Sequence, residues 1–469
     1  MTATNGTFER NGVPEVSGKR VLVYSLGIEG RDLARWLIAH GATVTISDTR
    51  SEQQLAAAKA VAPAGVAELV TGQPFLAPDG FDLVAVSQSV LRYDPALVRA
   101  RELGIPVTSQ MRLFLQLCPG RIIGITGSSG KSTTTALVGA MAQAAKLEHI
   151  VGGNIGEALL GRIEEITPET AVILEISHTQ LQYTDRSPHI AAVTNVTPNH
   201  LDQFSWDEYV GLKRHALAYQ ESEDVAVLNA DDQTSKGFVA SVRGQLSQAS
   251  LAGEVRGEGA WLSSGSVLVR HGRFTDEVVQ ADRVLLRGRH NLANVVMASA
   301  IGSACGIDAK TMASAITAFR GVPHRIEVVG RAGGVTWVND SIATAPERTM
   351  AGLSAFSEPV VLLLGGREKR LPLEGLQNLV KERCRAVVCF GEAGPLFHQA
   401  MEGLGIKTAL VGTLEEAVIS AESVAKAGDV VLLSPAGTSF DVYPSFEVRG
   451  EAFRALVRAL PGFEPEVTS

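Results

Sequence analysis

The sequence predicts an α/β protein built from three domains. A chain of 469 residues is too long for a single hydrophobic core. Short apolar runs alternate with helical patterns in its first and last thirds, which is typical of mostly parallel sheets covered by helices. Between these thirds, a glycine-rich loop joins a predicted strand to a predicted helix. We expect domains at residues 1–117, 118–321 and 322–469.

Composition and charge limit the kinds of partner. Hydrophobic residues make up 45% and charged residues 20% of the chain, an ordinary balance for a globular protein. The net charge of −8 argues against non-specific binding to nucleic acid or anionic membranes. The N-terminus lacks an apolar signal core, and no apolar run approaches the ~20 residues that span a bilayer. We expect no nucleic-acid partner, no membrane association and a cytoplasmic monomer.

The cysteines indicate free thiols. Cys384 and Cys389 flank or lie in the apolar run RAVVCF, and the other two are Cys118 and Cys305. No paired spacing is present, so buried thiols are expected rather than a metal site. This usage suits a reducing cytosol.

The first third predicts a Rossmann-like domain. RVLVYSLG and TVTISD are typical of buried strands, and GRDLARWLIAHG between them has helical spacing. Only Gly27 and Gly30 of the G-x-G-x-x-G fingerprint are present, so a plain strand–helix turn explains this feature as well as a ligand loop does. Asp48 follows Gly27 by 21 residues, where the partner of a ribose hydroxyl is expected.

The glycine-rich loop GITGSSGKSTT lies between the strand RIIGIT and the helix STTTALVGAMAQAA. The Walker pattern G-x-x-x-x-G-K-[ST] would require glycine at Ile125, so the standard spacing is not met. The loop still offers backbone N–H groups at a helix N-terminus, and Lys131 could reach terminal phosphates. The hydroxyl of Ser132 or Thr133 could hold Mg²⁺. The alternative is a tight turn with a solvated lysine.

Polar residues follow the next strands of the central domain. Glu175 ends the predicted strand AVILEIS, where a carboxylate could hold the Mg²⁺ of a nucleotide, although a capping or ion-paired glutamate would look the same. His200 follows the strand AAVTNV. Lys213 lies one helical turn after Tyr209, and a lysine in that setting is normally solvated. These features predict a central domain of the P-loop ATPase type.

The remaining segments complete the architecture. Residues 225–286 contain VAVLN, GAWLSSGSVLVR and RVLLRG, which predict a β-rich insertion. RHNLANVVMASAIGSACG returns to a helical pattern. Four strand candidates, GVTWVND, PVVLLLGG, RAVVCFG and DVVLLSPAG, then predict a Rossmann-like C-terminal domain.

Ten motifs occur in an order that resembles the Mur ligase family. They are TGSSGKSTT, GGNIG, LEIS..QL, TNVTPNHLD, YVGLK, RHNLAN, PHRIE, VNDS.AT, LLLGG..K and LLSPAGTSFD..PSFEVRGEAF. The resemblance covers nearly the whole chain from about residue 18. In this family the phosphate loop has the shorter form T-G-x-x-G-K-[ST], which Thr126 to Ser132 match.

The resemblance implies an ATP-dependent amide ligase of peptidoglycan precursor synthesis. It implies that D-glutamate is added to a UDP-muramoyl-alanine acceptor through an acyl phosphate, with ATP and two Mg²⁺ ions. Lys213 resembles a lysine that the family carries as a carbamate, which would bridge towards the second Mg²⁺. Lys131, His200 and Lys213 would form the catalytic set.

The resemblance also assigns binding roles. ATP would contact Gly127, Ser128, Ser129, Gly130, Lys131, Ser132, Thr133, Asn291, Asn294, His324, Arg325 and Asp340. Metal ligands would be Ser132, Glu175, His200 and Lys213 as its carbamate. The UDP-substrate would contact Gly30, Asp48, Thr49, Arg50, Asn154, Ser177 and Gln180. Glutamate would contact Thr344, Lys369, Ser439, Phe440 and Phe446.

Three positions depart from the family pattern. Gln88 and Ser89 replace the proline and glycine of a serine-proline-glycine turn. His178-Thr179 stand where serine-phenylalanine is usual, and Ile342 replaces a common lysine, for which Arg348 is a substitute candidate. Alternatives are a related ligase for another amino acid such as L-glutamate, a folate-glutamate ligase, a P-loop ATPase switch and a non-catalytic relative.

Overall fold

The computed structural model describes residues 15–52, 55, 62–154, 158–201, 203–286, 288–368 and 371–465. These residues form three sheets in two compact units. One unit comprises Met1–Val284 with His290–Phe319, and the other Leu285–Arg289 with Arg320–Ser469. The predicted α/β class is confirmed by sheets in which parallel pairing dominates. The three domain limits stay predictions.

The first sheet is five-stranded and wholly parallel, in the order β3-β2-β1-β4-β5. Its strands are β1 (Arg20–Tyr24), β2 (Thr43–Asp48), β3 (Glu68–Thr71), β4 (Leu83–Val86) and β5 (Val107–Ser109), and its helices are α1 (Ile28–Ala39), α2 (Pro95–Glu102) and α3 (Gln110–Leu117). Helices cover both faces, which is why the strand residues VLVY of β1 are continuously apolar and buried.

The second sheet is nine-stranded, in the order β14-β13-β12-β11-β10-β9-β6-β8-β7. Its strands are β6 (Arg121–Thr126), β7 (His149–Gly153), β8 (Ala171–Glu175), β9 (Ile190–Val193), β10 (Val225–Asn229), β11 (Gln245–Ser250), β12 (Glu258–Ser263), β13 (Ser266–His271) and β14 (Phe274–Gln280). Its helices are α4 (Lys131–Ala144), α5 (His178–Leu181), α6 (Trp206–Arg214), α7 (Gln233–Gly237), α8 (Arg289–Ala304) and α9 (Ala309–Ala318). Short 3₁₀ helices are Leu160–Glu165, His215–Leu217, Phe238–Ser241 and Ala281–Arg283.

The predicted β-rich segment extends this second sheet. Strands β10, β11 and β12 add to it in parallel, and the hairpin strands β13 and β14 close the edge antiparallel. The prediction of a strand at RVLLRG is wrong, because the last strand is Phe274–Gln280 and Ala281–Arg283 is a 3₁₀ turn. An apolar run this short does not distinguish a strand from an irregular segment.

The third sheet is seven-stranded, in the order β19-β18-β17-β20-β16-β15-β21, with β15 and β21 antiparallel. Its strands are β15 (Glu327–Ala332), β16 (Val335–Asn339), β17 (Val360–Gly365), β18 (Cys384–Phe390), β19 (Lys407–Leu410), β20 (Val430–Ala436) and β21 (Glu464–Pro465). Its helices are α10 (Pro346–Leu353), α11 (Glu374–Arg383), α12 (Gly394–Met401), α13 (Leu414–Val424) and α14 (Phe446–Arg458). All four strands predicted here are confirmed.

Free thiols are confirmed at all four cysteines, and Cys384 and Cys389 are buried in this third sheet. Across the described ranges, no helix combines the length and apolarity needed to cross a bilayer. The same ranges contain no group of three or more histidine, cysteine and acidic side chains arranged to hold a metal ion.

Candidate active site

The phosphate-loop candidate follows β6, which lies between β8 and β9 inside the nine-stranded sheet. Gly124 is a packing residue of this strand, as a Cβ there would lie 2.3 Å from Cγ of Pro188. The loop therefore lies at the carboxyl ends of central parallel strands, where ligands bind in such sheets.

Two glycines of the loop are required by its conformation. Gly127 has φ +145°, and a Cβ there would lie 2.0 Å from Oγ1 of Thr194. Gly130 has φ +81°, and a Cβ there would lie 2.2 Å from Oδ1 of Asn294. No larger residue fits either position without displacing a neighbour, so the loop backbone stays bare. A phosphate can approach such a backbone closely.

The residues after β9 hold the loop in place. The Thr194 hydroxyl donates to the carbonyl of Ser129 at 2.6 Å, and Oδ1 of Asn195 accepts from the Ser129 amide at 3.0 Å. Nζ of Lys131 donates to the carbonyls of Gly127 at 3.0 Å and Ser128 at 3.2 Å. The lysine thus bends over its own loop, where a terminal phosphate would be bound.

The helix after the loop begins at Lys131, with Gly130 as its N-cap. Ser132 and Thr133 follow in its first turn and are both buried. Asn294 donates to Oδ1 of Asn291 at 3.1 Å, so these two predicted ATP contacts form one buried pair. Because Asn294 also lies against Gly130, the structure puts its carboxamide beside the phosphate loop.

Glu175 ends β8 and is buried beside the loop strand. Its Oε1 accepts from Nδ2 of Asn154 at 2.8 Å. Its Oε2 is buried and has no hydrogen-bond partner among the described residues. An orphaned carboxylate oxygen is costly unless a ligand satisfies it, and hard cations such as Mg²⁺ take carboxylate oxygens. The residues present therefore fit a nucleotide-bound Mg²⁺.

Lys213 is buried on α6 at 1% exposure, so it is not the solvated lysine that its helical setting alone would indicate. Its Nζ donates to Oγ1 of Thr126 at 3.2 Å and lies 5.4 Å from the ring centroid of Tyr209. Burial lowers the pKa of Lys213 well below its usual value; Lys131 lowers it further, and Glu175 opposes the shift. Burial therefore disfavours the charged form of this amine.

A histidine pair lies beside this lysine. The rings of His178 and His200 have centroids 4.3 Å apart, and Tyr209 and Phe204 pack around His178. His200 adopts φ +54°, a strained conformation of the kind that collects at functional sites. Burial, with smaller contributions from the neighbouring basic side chains of Lys213, His200 and Lys131, lowers the pKa of His178 to about 3. The departure at position 178 thus places a neutral imidazole against the predicted metal ligand His200.

A cavity of about 920 Å³ opens at the first sheet. Asp48, Thr49 and Arg50, which are predicted UDP-substrate contacts, line it together with Ser89. Asp48 accepts from Nε and Nη2 of Arg50 and from the amide of Leu26, at 2.6–2.9 Å. Burial alone would raise the pKa of Asp48, but these bonds outweigh it and lower the pKa. Asp48 therefore orients Arg50 in the cavity, where the sequence had suggested a ribose contact.

Ser25 occupies the place of the missing fingerprint glycine. It adopts φ +81° and lines the cavity with Gly27. Gly30 is not among the lining residues; a Cβ there would lie 1.8 Å from the carbonyl oxygen of Ser25, so its role is close helix–strand packing. The sequence signal was present as S-x-G-x-x-G but was not recognised.

Ser177 and Gln180 lie away from this cavity, at the start of α5. They form a capping box, and Nε2 of Gln180 donates to Oε1 of Glu29 at 2.6 Å. Glu29 was missed by sequence reasoning, because an acidic residue in the first turn of a helix is common and carries no signal of a distant partner.

The second unit holds the other predicted ATP residues. His324 adopts φ +63° and is buried, with Nδ1 3.0 Å from Nδ2 of Asn339. Arg325 follows in the same turn. Asp340 accepts from the Ile326 amide at 3.2 Å and from the Ser434 hydroxyl at 2.8 Å. Burial raises the pKa of Asp340 to about 7, although the two hydrogen bonds act to lower it.

The predicted glutamate residues lie around β20 and α14 of the same unit. Ser439 is buried, Phe440 is 62% exposed, and Phe446 begins α14. Thr344 follows β16, and its amide donates to the carbonyl of Ile342 at 2.9 Å. Lys369 lies outside the described residues.

Arg449 is a residue of this region that sequence reasoning missed. Its guanidinium is fully buried and donates to Oγ and the carbonyl of Ser341 and to the carbonyl of Gly437. It ties together two of the motif segments that carry the predicted glutamate residues. Arg348 donates to the carbonyl of Ile342 at 3.3 Å, so its guanidinium lies beside the backbone of this departing position.

Comparison with known proteins identifies the class. The Mur ligase middle domain matches residues 125–302, and the Mur ligase glutamate ligase domain matches residues 324–437. Relatives from this family are 37% and 38% identical to this chain in sequence over 94% of its length. The chain belongs to the Mur ligase family.

Individual relatives carry a more specific name than the family does. A UDP-N-acetylmuramoylalanine–D-glutamate ligase from Symbiobacterium thermophilum is 38% identical over 448 residues, 94% of this chain and 98% of its own. One from Clostridium botulinum is 37% identical over 451 residues, 94% of this chain and 97% of its own.

Solved structures share the fold. The UDP-N-acetylmuramate–alanine ligase of Thermotoga maritima matches 93% of this chain and 99% of its own, at TM-score 0.57 and 18% identity. A pseudomurein peptide ligase type C from Methanothermus fervidus matches 90% of this chain and 98% of its own, at TM-score 0.52 and 16% identity.

Proposed function

We propose that this protein is an ATP-dependent ligase that joins D-glutamate to UDP-N-acetylmuramoylalanine during peptidoglycan precursor synthesis. The observation that carries the proposal is the grouping of the phosphate loop, the orphaned oxygen of Glu175 and the buried Lys213 at the carboxyl ends of strands inside the nine-stranded sheet. The relatives that match nearly the whole chain supply the two substrates. The protein would act as a cytoplasmic monomer.

The reaction has two steps. The acceptor carboxylate attacks the γ-phosphorus of ATP, and the bond to ADP breaks, which gives an acyl phosphate. The amine of D-glutamate then attacks the acyl carbon, phosphate leaves with the bonding electrons, and the amine loses a proton. Lys131 and the loop amides would stabilise the charge on the transferred phosphoryl group. Because an acyl phosphate hydrolyses in water, the reacting groups must be kept dry.

Metal binding would use residues near the carboxyl ends of the same central strands. Ser132 and Glu175 would hold one Mg²⁺, and His200 with the carbamate of Lys213 would hold the second. When bound, the ions would supply positive charge to the phosphate oxygens. His324, Arg325, Asp340 and the Asn291–Asn294 pair are proposed ATP contacts, and Thr344, Lys369, Ser439, Phe440 and Phe446 are proposed contacts of glutamate.

Lys213 is suited to carbamate formation. A neutral amine attacks the carbon of CO₂, an N–C bond forms and one proton is released to solvent. Desolvation lowers the pKa of this amine well below that of an exposed lysine, which favours the neutral form that the reaction needs. The resulting carboxylate would convert a buried amine into an oxygen ligand for a hard cation.

The test is phosphate release measured with UDP-N-acetylmuramoyl-L-alanine and each enantiomer of glutamate, and with each substrate omitted. We expect release only when the acceptor and D-glutamate are both present. Release that needs neither would support a P-loop ATPase instead and refute the ligase. Release that follows L-glutamate would retain the ligase class and change the amino acid.

A further inference from the structure

Helix α1 carries two buried carboxylates towards the layer of the nine-stranded sheet. Glu29 is 8% exposed and Asp32 is 5% exposed. Both accept hydrogen bonds from residues beyond the first sheet, as Glu29 accepts from Gln180 and Asp32 accepts from the amides of Leu160 and Gly161. Buried carboxylates that are this well satisfied specify a fixed arrangement of the elements they join.

Glu29 belongs to a closed ring of hydrogen bonds. Its Oε1 accepts from Nε2 of Gln180 and its Oε2 accepts from the amide of Gln88, both at 2.6 Å. Oε1 of Gln180 accepts from the Ser177 amide at 2.9 Å. The Ser177 hydroxyl donates to Oε1 of Gln88 at 2.9 Å and closes the ring. We call these four residues the clasp.

The clasp explains why two departures from the family pattern occur together. Gln88 replaces the proline of one turn, and Thr179 replaces the phenylalanine after α5 begins. Oε1 of Gln88 accepts from Oγ1 of Thr179 at 3.4 Å as well as from Ser177. Neither a proline at position 88 nor a phenylalanine at 179 could make this contact, so the two changes are chemically complementary.

The clasp joins the two ends of the proposed acceptor path. Ser89, next to Gln88, lines the cavity of the first sheet. Ser177 follows Glu175 by two residues, beyond the carboxyl end of β8, which neighbours the strand that carries the phosphate loop. We propose that the clasp is a positioning device: it fixes the nucleotide cavity relative to the phosphate loop, so that an acceptor held by its nucleotide presents its carboxylate at the γ-phosphate. This inference rests on the proposed ligase function.

The proposal differs from the family-based role of Gln180 as a substrate contact. Both polar atoms of the Gln180 carboxamide are already used inside the clasp. Asp32 provides a second connection through Leu160, Gly161 and Nε2 of Gln110, at 2.9–3.0 Å. Because that connection is independent of Glu29, we expect clasp variants to fold.

The test is a charge-swap cycle of Glu29→Gln, Gln180→Glu and the double variant. In Glu29→Gln an amide N–H faces a donor, and in Gln180→Glu two carboxylates face each other. In the double variant, the new carboxamide at position 29 can accept from the amide of Gln88 and donate to the new carboxylate at position 180, so every bond is restored. Gln143→Glu, an exposed change on α4, is the matched control.

We expect each single variant to lower kcat at least tenfold, since small misplacements of reacting groups cost up to about 100-fold. Dissociation constants for UDP and for ATP should stay within about threefold of wild type, because both pockets remain intact. The double variant should recover kcat to within about threefold. A global loss of stability would instead weaken the binding of UDP and the binding of ATP together.

Two results would overturn the clasp. The first is a double variant as slow as the single variants, with weakened acceptor binding, which would make Gln180 a substrate ligand. The second is full kcat in both single variants. The wild type is assayed first: absence of phosphate release that depends on acceptor and glutamate refutes the ligase itself, whereas an active wild type whose double variant is not rescued refutes the clasp alone.

Discussion

Nζ of Lys213 donates a hydrogen bond to Oγ1 of Thr126 at 3.2 Å, under the phosphate loop. The threonine hydroxyl in turn donates to the carbonyl of Ile176 at 2.7 Å, which fixes its lone pairs towards the lysine. This contact ties α6 to the last residue of β6 and buries an amine at 1% exposure. Burial of a cation without an adjacent ion pair is unfavourable, so the contact favours a neutral amine.

Lys213→Ala should abolish ligase activity, by at least 100-fold in kcat, because the variant lacks the amine that would become a carbamate ligand. Added short-chain carboxylates should partly restore it by entering the vacated space. The measurement is phosphate release against the concentration of acetate or propionate. Lys236→Ala, at an exposed lysine, is the control. Full activity in Lys213→Ala would refute the carbamate.

Glu175→Gln should lower kcat at least 100-fold and weaken the affinity for Mn²⁺ in the presence of ATP. The glutamine keeps the shape of the side chain and can still accept from Asn154, so the loss isolates the charge. Titration of Mn²⁺ by electron paramagnetic resonance measures the affinity independently of turnover. Glu169→Gln, an exposed change, should alter neither quantity. Unchanged Mn²⁺ affinity in Glu175→Gln would exclude it as a ligand.

Gly130→Ala should weaken ATP binding at least tenfold, because its Cβ would lie 2.2 Å from Oδ1 of Asn294 at φ +81°. Gly306→Ala is a matched control: its φ is +80°, and no atom lies within 4 Å of the added Cβ. In Gly306→Ala the alanine would adopt a left-handed backbone conformation, which costs about 1–2 kcal/mol, but its Cβ would meet no steric clash. Calorimetric ATP titration should find its affinity unchanged; equal losses in both variants would assign the effect to strain alone.

Local chemistry made the phosphate loop predictable. Its strand and helix start follow from neighbouring residues, whereas the need for glycine at 127 and 130 comes from contacts with Thr194 and Asn294, which are distant in sequence. Lys213 could not be distinguished by composition, because its burial depends on β6 and α6 meeting in the fold. Only the family resemblance identified it.

Long-range contacts were beyond sequence reasoning. Glu29 and Gln180 are 151 positions apart, and no periodicity links a first-turn glutamate to a capping-box glutamine. The β-rich segment was predicted as strands but not as an extension of the central sheet, since pairing partners are set by tertiary packing. The strand predicted at RVLLRG, residues 283–288, is absent from the described part of that segment for the same reason.

Asp340 should make the stability of the second unit depend on pH. Burial raises its pKa to about 7 in the folded chain, above the value near 4 of an unfolded aspartate. The folded state therefore retains the proton longer than the unfolded state does. Its stabilising contribution is complete below pH 4 and is lost as the pH rises through about 7.

Asp340→Asn removes this titration and keeps the side-chain volume. Relative to wild type, its free energy of unfolding should therefore rise between pH 5 and pH 8, by a few kcal/mol at about 1.4 kcal/mol per pKa unit. Urea unfolding of both proteins at the two pH values measures the difference. Asp276→Asn, at an exposed carboxylate, should show no such change. A wild-type–variant difference that is constant across the range would mean that Asp340 is ionised throughout.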